Sequence, residues 1–308
     1  MDFEPNDDQT AILDGLDQML AGLRIQTPKE GETVVFAAAL DAELAASGFL
    51  DIGREAGFSI LESALIAERL ARLPVTAETS SSAIVGQMFR AGEMERPLAL
   101  LQGSPLAPAR FLPQARSLLV DIGNDLLHII VDPARVEPVE SLFAYPYGRL
   151  AGLDGLETRS LGKEMLAPFR RRWRLAIAAE SAGLMRSALD TVLEHVKTRQ
   201  QFGRPLGAFQ AVQHRLAMAS GTMNATYWLA MRAAWSDSES DCAVAATYVQ
   251  DAIPIFTYDL HQFCGAMGLT LEFPLHYWTY RLKALLGELG GSSAQARMAS
   301  ASTWSEAA

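Results

Sequence analysis

Cysteine is scarce in this sequence of 308 residues, and its scarcity argues against two common ways of stabilising a fold. The two cysteines, Cys242 and Cys264, lack the close spacing of a zinc site, and a single pair does not make a disulfide framework. We therefore expect no bound metal. Because few cysteines and no disulfide pattern are typical of a reducing compartment, we also expect a cytoplasmic protein.

Positive charge and long hydrophobic runs are also lacking. The sequence has 26 lysine and arginine residues against 36 aspartate and glutamate residues, a formal net charge of -10. A nucleic-acid-binding surface normally needs a broad positive field, so we expect no nucleic-acid partner. No apolar run approaches the roughly 20 residues of a membrane-spanning helix, and residues 1–8 are acidic where a signal peptide is basic. We expect no membrane association.

Apolar residues, in contrast, are plentiful. They make up 49% of the sequence, with 20% charged residues, which is enough for a large core and two or three domains. Helical spacing is clear at Leu61, Leu65 and Leu70, and it returns after Pro168. The later stripe comprises Leu175, Ala179, Ala182, Met185, Leu189, Val192 and Val196. Further helices are predicted at about 210–235, 242–267 and 274–286.

The middle of the sequence has the pattern of short strands. Residues 117–122 and 127–131 are short apolar runs bounded by Gly123-Asn124-Asp125 and by Asp132-Pro133, which predicts a strand, a turn and a strand. The sequence therefore predicts a mainly α-helical protein with a small β domain. We expect an N-terminal helical domain at residues 1–90, the β domain at 91–164 and a C-terminal helical bundle at 165–308.

The segment from Arg199 to His214 is the most informative for chemistry. It reads Arg-Gln-Gln-Phe-Gly-Arg-Pro-Leu-Gly-Ala-Phe-Gln-Ala-Val-Gln-His. A long helix is predicted to end near Arg199, glycine and proline form a turn, and a new helix begins near Gln210. Free N–H groups at a helix N-terminus, next to an arginine, suit a phosphate. The alternative is an ordinary helix connection with a solvated arginine.

These residues resemble the acyl-CoA dehydrogenase family. Residues 199–210 match, without a gap, its stretch Arg-x-Gln-Phe-Gly-x-Pro-Leu-x-x-Phe-Gln, and residues 262–274 are similar to its element Gln-x-x-Gly-Gly-x-Gly-x-x-x-Glu-x-Pro. The opening residues 1–3 and the alanine-rich stretch 175–185 are also similar. The resemblance implies the acyl-CoA dehydrogenase fold: an N-terminal helical domain, a middle β domain and a C-terminal four-helix bundle.

In that family the two motifs together hold the ADP half of FAD across a subunit interface. Carried over to this sequence, Arg199 would pair with the pyrophosphate, Phe202 would pack nearby and Gln210 would form a hydrogen bond to the cofactor. Gln262 and Gly265 would receive the adenosine part, since glycine allows close backbone approach. The alternatives are a core position for Phe202 and a helix-capping role for Gln262.

The family's reaction also requires a base. In the α,β-dehydrogenation of an acyl-CoA, a carboxylate removes the α proton while the β hydrogen leaves as hydride to the flavin. The family places that glutamate at one of two positions, which fall at Gly290 and Trp173 in this sequence; neither is acidic. Glu288 is the nearest candidate base, with a solvated loop acid as the alternative. Glu180 lies too far along its helix, and we expect it on the helix surface or in an internal hydrogen bond.

Two further departures from the family pattern concern flavin binding. The flavin-cradling run, roughly Thr-Glu-Pro-x-x-Gly-Ser-Asp, is missing, since Gln102-Gly103-Ser104-Pro105 matches it poorly. The β domain is also too short for the family's number of strands, so it is reduced. Cys264 stands where the family usually has its first glycine.

Together these features resemble the shorter subunit of heteromeric acyl-CoA dehydrogenases, known among enzymes of steroid side-chain β-oxidation. The resemblance implies a chain that gives ADP-half contacts to the FAD of a longer partner subunit, which carries the base. It also implies an acyl-CoA substrate and electron-transfer flavoprotein as acceptor. Two alternatives remain: a self-sufficient homo-oligomer that uses Glu288 or another base, and a non-catalytic structural or regulatory homologue.

The only dense basic cluster contains Arg174. The family has a cleft-lining arginine at this position, so the resemblance implies that Arg174 contacts the substrate or the CoA phosphates. A solvated or interfacial helix start is the alternative.

Overall fold

The computed structural model describes residues 5–25, 28–29 and 32–305. Residues 1–3, which contribute to the family resemblance, lie outside the described residues. The helices in chain order are α1 (Asp7–Gly22), α2 (Ala38–Ser47), α3 (Ile60–Ala71), α4 (Leu166–Thr198), α5 (Gln210–Ser236), α6 (Glu239–Cys264), α7 (His276–Leu285) and α8 (Gly291–Ser305). The described residues contain no helix that is long and apolar enough to cross a membrane.

The N-terminal helices form where their sequences supply caps. The Ser59 side chain accepts a hydrogen bond from the N–H of Leu61, and the Glu62 side chain accepts one from the N–H of Ser59. These two residues form a capping box that satisfies free backbone N–H groups at the start of α3. The predicted helical spacing at Leu61, Leu65 and Leu70 is confirmed by α3. This helix is buried on nearly every side because α4 and α5 cover it.

The strands form two small sheets. They are β1 (Leu98–Gln102), β2 (Ala109–Arg110), β3 (Ser117–Asp121), β4 (Leu126–Ile130), β5 (Val136–Val139), β6 (Tyr147–Leu150) and β7 (Thr158–Ser160). One sheet has the order β1-β3-β4-β7 and the other β2-β6-β5. The predicted strand, turn and strand are confirmed by the antiparallel pair β3 and β4, which runs from Ser117 opposite Ile130 to Asp121 opposite Leu126.

The C-terminal helices pack around α4. This helix has 33 residues, about 50 Å at 1.5 Å per residue, and contacts α3, α5, α6 and α7. Its predicted apolar stripe is buried, as at Met185 and Val192. The predicted helix at 242–267 instead begins at Glu239, where Ser238 caps it, and ends at Cys264. Helix α8 was not predicted, because its alanine- and serine-rich sequence has no apolar period.

Candidate functional site

The first motif forms the connection from α4 to α5. Arg199 follows the last turn of α4, and a hairpin of two short strands comes next, β8 (Gln200–Gln201) and β9 (Arg204–Pro205). The turn residues Phe202 and Gly203 have φ angles of 54° and 77°. Positive φ at both positions is the type I′ geometry of a tight hairpin, which fixes the pairing of Gln201 with Arg204.

The second motif forms the turn after α6. Gly265 leaves the helix with φ 58° and ψ -141°, a conformation that favours glycine. Three residues on, a Cβ atom at Gly268 would lie 2.7 Å from the Cβ of Cys264 and 3.1 Å from the carbonyl oxygen of His261. The imidazole Nδ1 of His261 lies 2.7 Å from the carbonyl oxygen of Gly268 and holds this turn against the helix.

The two motifs meet at one cavity of about 480 Å³. Its walls include Arg199, Gln262 and Gly265, which the sequence analysis predicts to contact the cofactor. Phe202 and Gln210 do not line it: the Phe202 side chain is 87% exposed, and Gln210 is the exposed first residue of α5. The structure therefore brings three of the five predicted residues together at the cavity and leaves Phe202 and Gln210 exposed outside its wall.

The electrostatics of this cavity are positive. Within the described residues, no carboxylate forms an ion pair with Arg199. Burial, with the nearby charge of Arg199, lowers the pKa of the His195 imidazole in the same wall. An anion at the cavity would therefore have an arginine as partner without displacing an internal carboxylate.

Glu288 lies in a different, internal site. It is in a short 3₁₀ turn (Glu288–Gly290) after α7, with its side chain 14% exposed. Oε1 accepts a hydrogen bond from Arg110 Nε at 2.5 Å, and Oε2 accepts one from Trp173 Nε1 at 2.6 Å. The two family positions for the base, at Trp173 and close to Glu288, thus converge in space. Glu288 is not the solvated loop acid of the alternative, because both its oxygens have buried partners.

Arg110 of β2 also binds Glu180 of α4. Arg110 Nη1 lies 3.0 Å from Glu180 Oε2, while Tyr145 Oη and Ser80 Oγ donate to the same carboxylate at 2.6 and 2.7 Å. Burial alone would raise the pKa of Glu180, but Arg110 and these hydrogen bonds outweigh it, and the pKa lies below its usual range. The expected internal hydrogen-bond role of Glu180 is confirmed by these contacts.

The space beside this ion cluster is small. A cavity of about 210 Å³ is lined by Arg110, Trp173, Glu288 and Tyr147, together with residues of β1 and α7. Ligand pockets for drug-sized molecules are about 300–1,000 Å³. The Arg110 side chain, 6% exposed, is part of the wall of this cavity. Sequence reasoning missed Arg110, because its partners lie 70 and 178 residues further along the chain.

Arg174, predicted to contact substrate, lies inside the bundle. It is 4% exposed, its Nε donates to Gln295 Oε1 at 2.6 Å, and its Nη1 pairs with Glu239. Burial lowers the pKa of Arg174, an effect that Glu239 opposes. The basic cluster around it is paired as well, for example Arg170 with Asp121. In this chain the guanidinium of Arg174 therefore has internal partners, and its role at a substrate stays a prediction.

The described residues contain no cluster of three or more histidine, cysteine or acidic side chains that would hold a metal ion. Cys264 is buried, and burial raises its pKa to about 12, so it is a thiol in the wall of the cavity of about 480 Å³.

Comparison with known proteins identifies proteins that are similar to this chain. Residues 171–303 match the family description "Acyl-CoA dehydrogenase, C-terminal domain". This match lies within the segment that forms helices α4 to α8. The acyl-CoA dehydrogenase FadE34 of Mycobacterium tuberculosis is 32% identical over 215 residues, which are 66% of this chain and 29% of that protein. The acyl-CoA dehydrogenase IpdE2 of the same organism is 29% identical over 136 residues, 44% of this chain and 42% of that protein. The chain thus spans less than half the length of these curated relatives.

The acyl-CoA dehydrogenase fold extends over the whole chain. A chain in the crystal structure of the ChsE4-ChsE5 complex from Mycobacterium tuberculosis superposes with a TM-score of 0.69, at 18% identity, over 96% of this chain and 97% of that one. The predicted fold class is therefore confirmed.

Proposed function

We propose that this chain is a subunit of an FAD-dependent acyl-CoA dehydrogenase that contributes ADP-half contacts to the flavin site of a partner subunit. The observation that carries the proposal is the shared cavity of about 480 Å³, which brings Arg199, Gln262 and Gly265 to one wall. These residues come from two motifs that are more than sixty residues apart in the sequence.

The residues present fit the ADP half of FAD. Arg199 offers guanidinium donors to a phosphate, Gln262 offers an amide to the adenosine part, and the space above the Cα atom of Gly265 is open to 4 Å. The cavity volume is in the range of small-molecule sites. Phe202 and Gln210, exposed beside the cavity, would complete the contacts once a partner covers this surface.

The same structure supports a base on the partner and not on this chain. The two family positions hold Gly290 and Trp173, and Glu288 has both oxygens occupied by Arg110 and Trp173. The adjoining cavity of about 210 Å³ is small for a flavin ring together with an acyl thioester. These contacts disfavour a self-sufficient homo-oligomer that uses Glu288.

In the proposed assembly, FAD would supply, when bound, the acceptor for the hydride from the β carbon of the acyl-CoA. This chain holds the ADP half through Arg199 and Gln262, so that the flavin is retained and oriented in the partner. The partner is proposed to be a longer acyl-CoA dehydrogenase subunit, and electron-transfer flavoprotein the acceptor. A two-protein complex among structures of the same fold, ChsE4-ChsE5, supports a heteromer.

Flavin content tests this proposal. The chain purified alone is expected to carry little or no FAD by visible absorbance after denaturation, whereas its complex with the native partner is expected to carry FAD. Arg199→Ala should leave the complex assembled with much of its FAD lost, while Arg297→Ala, which changes an exposed arginine of α8, should not. About one FAD per isolated chain would refute the half-site. Full flavin retention by Arg199→Ala would contradict the proposed role of Arg199, and assembly of a complex that carries no FAD would support a non-catalytic structural homologue.

A further inference from the structure

We propose that Arg204 is a second cation for the diphosphate of the cofactor, held toward it by the ring of Phe209. This inference rests on the proposed function, because it adds a residue to the half-site that contains Arg199. Nothing in the family motif specifies Arg204, which stands at a variable position of the stretch Arg-x-Gln-Phe-Gly-x-Pro-Leu.

The hairpin places Arg204 next to residues of the cavity wall. Gln201 and Arg204 are paired across the two strands, and directly paired residues project from the same face, with Cβ atoms about 5 Å apart. Gln201 lines the cavity, as does Leu206, two residues after Arg204. Arg204 does not itself line the cavity, but it is paired with one wall residue and lies two residues before another.

The ring of Phe209 fixes the orientation of the guanidinium group. The Cζ atom of Arg204 lies 4.0 Å from the ring centroid of Phe209, and Phe202 packs edge-on against that ring with centroids 6.1 Å apart. A stacked guanidinium keeps its N–H groups free at the edges of its plane, where they can bind an anion. Phe209 is also the residue that caps α5, so its position is set by the helix.

The charge of Arg204 is available. Within the described residues, Arg204 has no ion-pair partner, although carboxylates outnumber basic residues by 36 to 26 and many other arginines of the chain are paired. Arg199 and Arg204 lie at the two ends of one hairpin and supply two cations. The diphosphate of FAD is esterified at both ends and carries one negative charge on each phosphate group, so the two guanidinium groups match it in number.

Binding of ADP to the chain alone tests this inference. Free ADP contains the adenosine and the two phosphate groups of the ADP half of FAD, with a further negative charge on its terminal phosphate, so isothermal titration calorimetry requires neither the flavin nor the partner. We expect Arg204→Gln to raise the Kd for ADP about tenfold and to make binding less sensitive to salt, as the loss of one charge-assisted contact predicts. Arg204→Lys, which keeps the charge without the planar stack, should fall between wild type and Arg204→Gln.

Three controls make the result decisive. Arg199→Gln should weaken ADP binding, and Arg297→Gln removes an equal charge from exposed α8 and should leave the Kd unchanged. Thermal unfolding checks that each variant is folded. If Arg199→Gln weakens binding but Arg204→Gln behaves like Arg297→Gln, the inference is wrong and the proposed half-site stands. If wild type binds no ADP at millimolar concentration, the proposed half-site and the inference both fail.

Discussion

Each oxygen atom of the Glu288 carboxylate accepts a hydrogen bond, one from Arg110 and one from Trp173. These bonds disfavour Glu288 as the catalytic base. We expect Glu288→Gln to leave the turnover of the assembled complex within about twofold of wild type, because a base held by Arg110 and Trp173 does not serve the reaction. The measurement is the steady-state rate with an acyl-CoA and an artificial electron acceptor. Glu157→Gln, at an exposed acid paired with Arg159, is the matched control. A drop of about a hundredfold, typical of losing a general base, would instead make Glu288 catalytic.

At the scale of residues, the sequence predicted which side chains of the two motifs come together better than it predicted the internal cluster. The positions of Arg199, Gln262 and Gly265 follow from motifs, because each needs only its own local turn to reach the cavity wall. Arg110 has no such signal. It is one residue of a two-residue strand, and its partners Glu180 and Glu288 are defined only by the folded chain.

Among the elements, the contact between α3 and α4 depends on a missing side chain. A Cβ atom at Gly183 of α4 would lie 2.0 Å from the carbonyl oxygen of Glu68 and 2.9 Å from the Cβ of Ala71. We expect Gly183→Ala to lower the free energy of unfolding by about 1–3 kcal/mol, because the two helices must separate. Urea unfolding followed by circular dichroism measures the change.

Gly221 is also a helical glycine, but unlike Gly183 it has room for a side chain. It lies within α5, and a Cβ atom there would meet nothing within 4 Å. Gly221→Ala should raise the free energy of unfolding by about 0.5–1 kcal/mol, since alanine loses less backbone freedom in a helix. Equal behaviour of the two variants would show that the close approach of α3 and α4 does not limit residue 183.

The elements themselves were predictable where a period or a cap is strong. The long helix α4 and the pair β3 and β4 follow from their apolar patterns. Helix α8 does not, because its buried polar residue Gln295 and its small residues are placed by packing on α6 and not by a stripe. The two-residue strand β2 exists only because β6 is beside it.

For the whole molecule, the ion cluster around Arg110 connects parts of the chain that are far apart in sequence. Ser80 precedes the sheets, Arg110 and Tyr145 come from the region of the sheets, and Glu180 belongs to the C-terminal helices. Burial would lower the pKa of Arg110, but Glu180 and Glu288 raise it well above its usual value. Removing that one cation leaves two carboxylates in the interior without a charged partner.

We therefore expect Arg110→Gln to lower the free energy of unfolding by about 3–5 kcal/mol at neutral pH. The pKa of Glu180 is below its usual value in the folded wild type, so this group stabilises above pH of about 4.5 and the stabilisation is lost as pH falls through the lowered pKa. In the variant, burial without Arg110 would raise that pKa, so stability should increase as pH falls from 7 to 5. The difference in the free energy of unfolding between wild type and Arg110→Gln is thus expected to become smaller as the pH falls.

Urea unfolding at pH 7 and pH 5 tests this dependence. Arg149→Gln is the control, because its ion pair with Glu137 is more than half exposed and exposed pairs contribute little. If wild type and Arg110→Gln differ in the free energy of unfolding by the same amount at both pH values, the variant is destabilised by lost packing contacts and not by lost charge compensation. If the difference in the free energy of unfolding narrows for Arg110→Gln and does not change for Arg149→Gln, the positive charge of Arg110 compensates the buried carboxylates of Glu180 and Glu288.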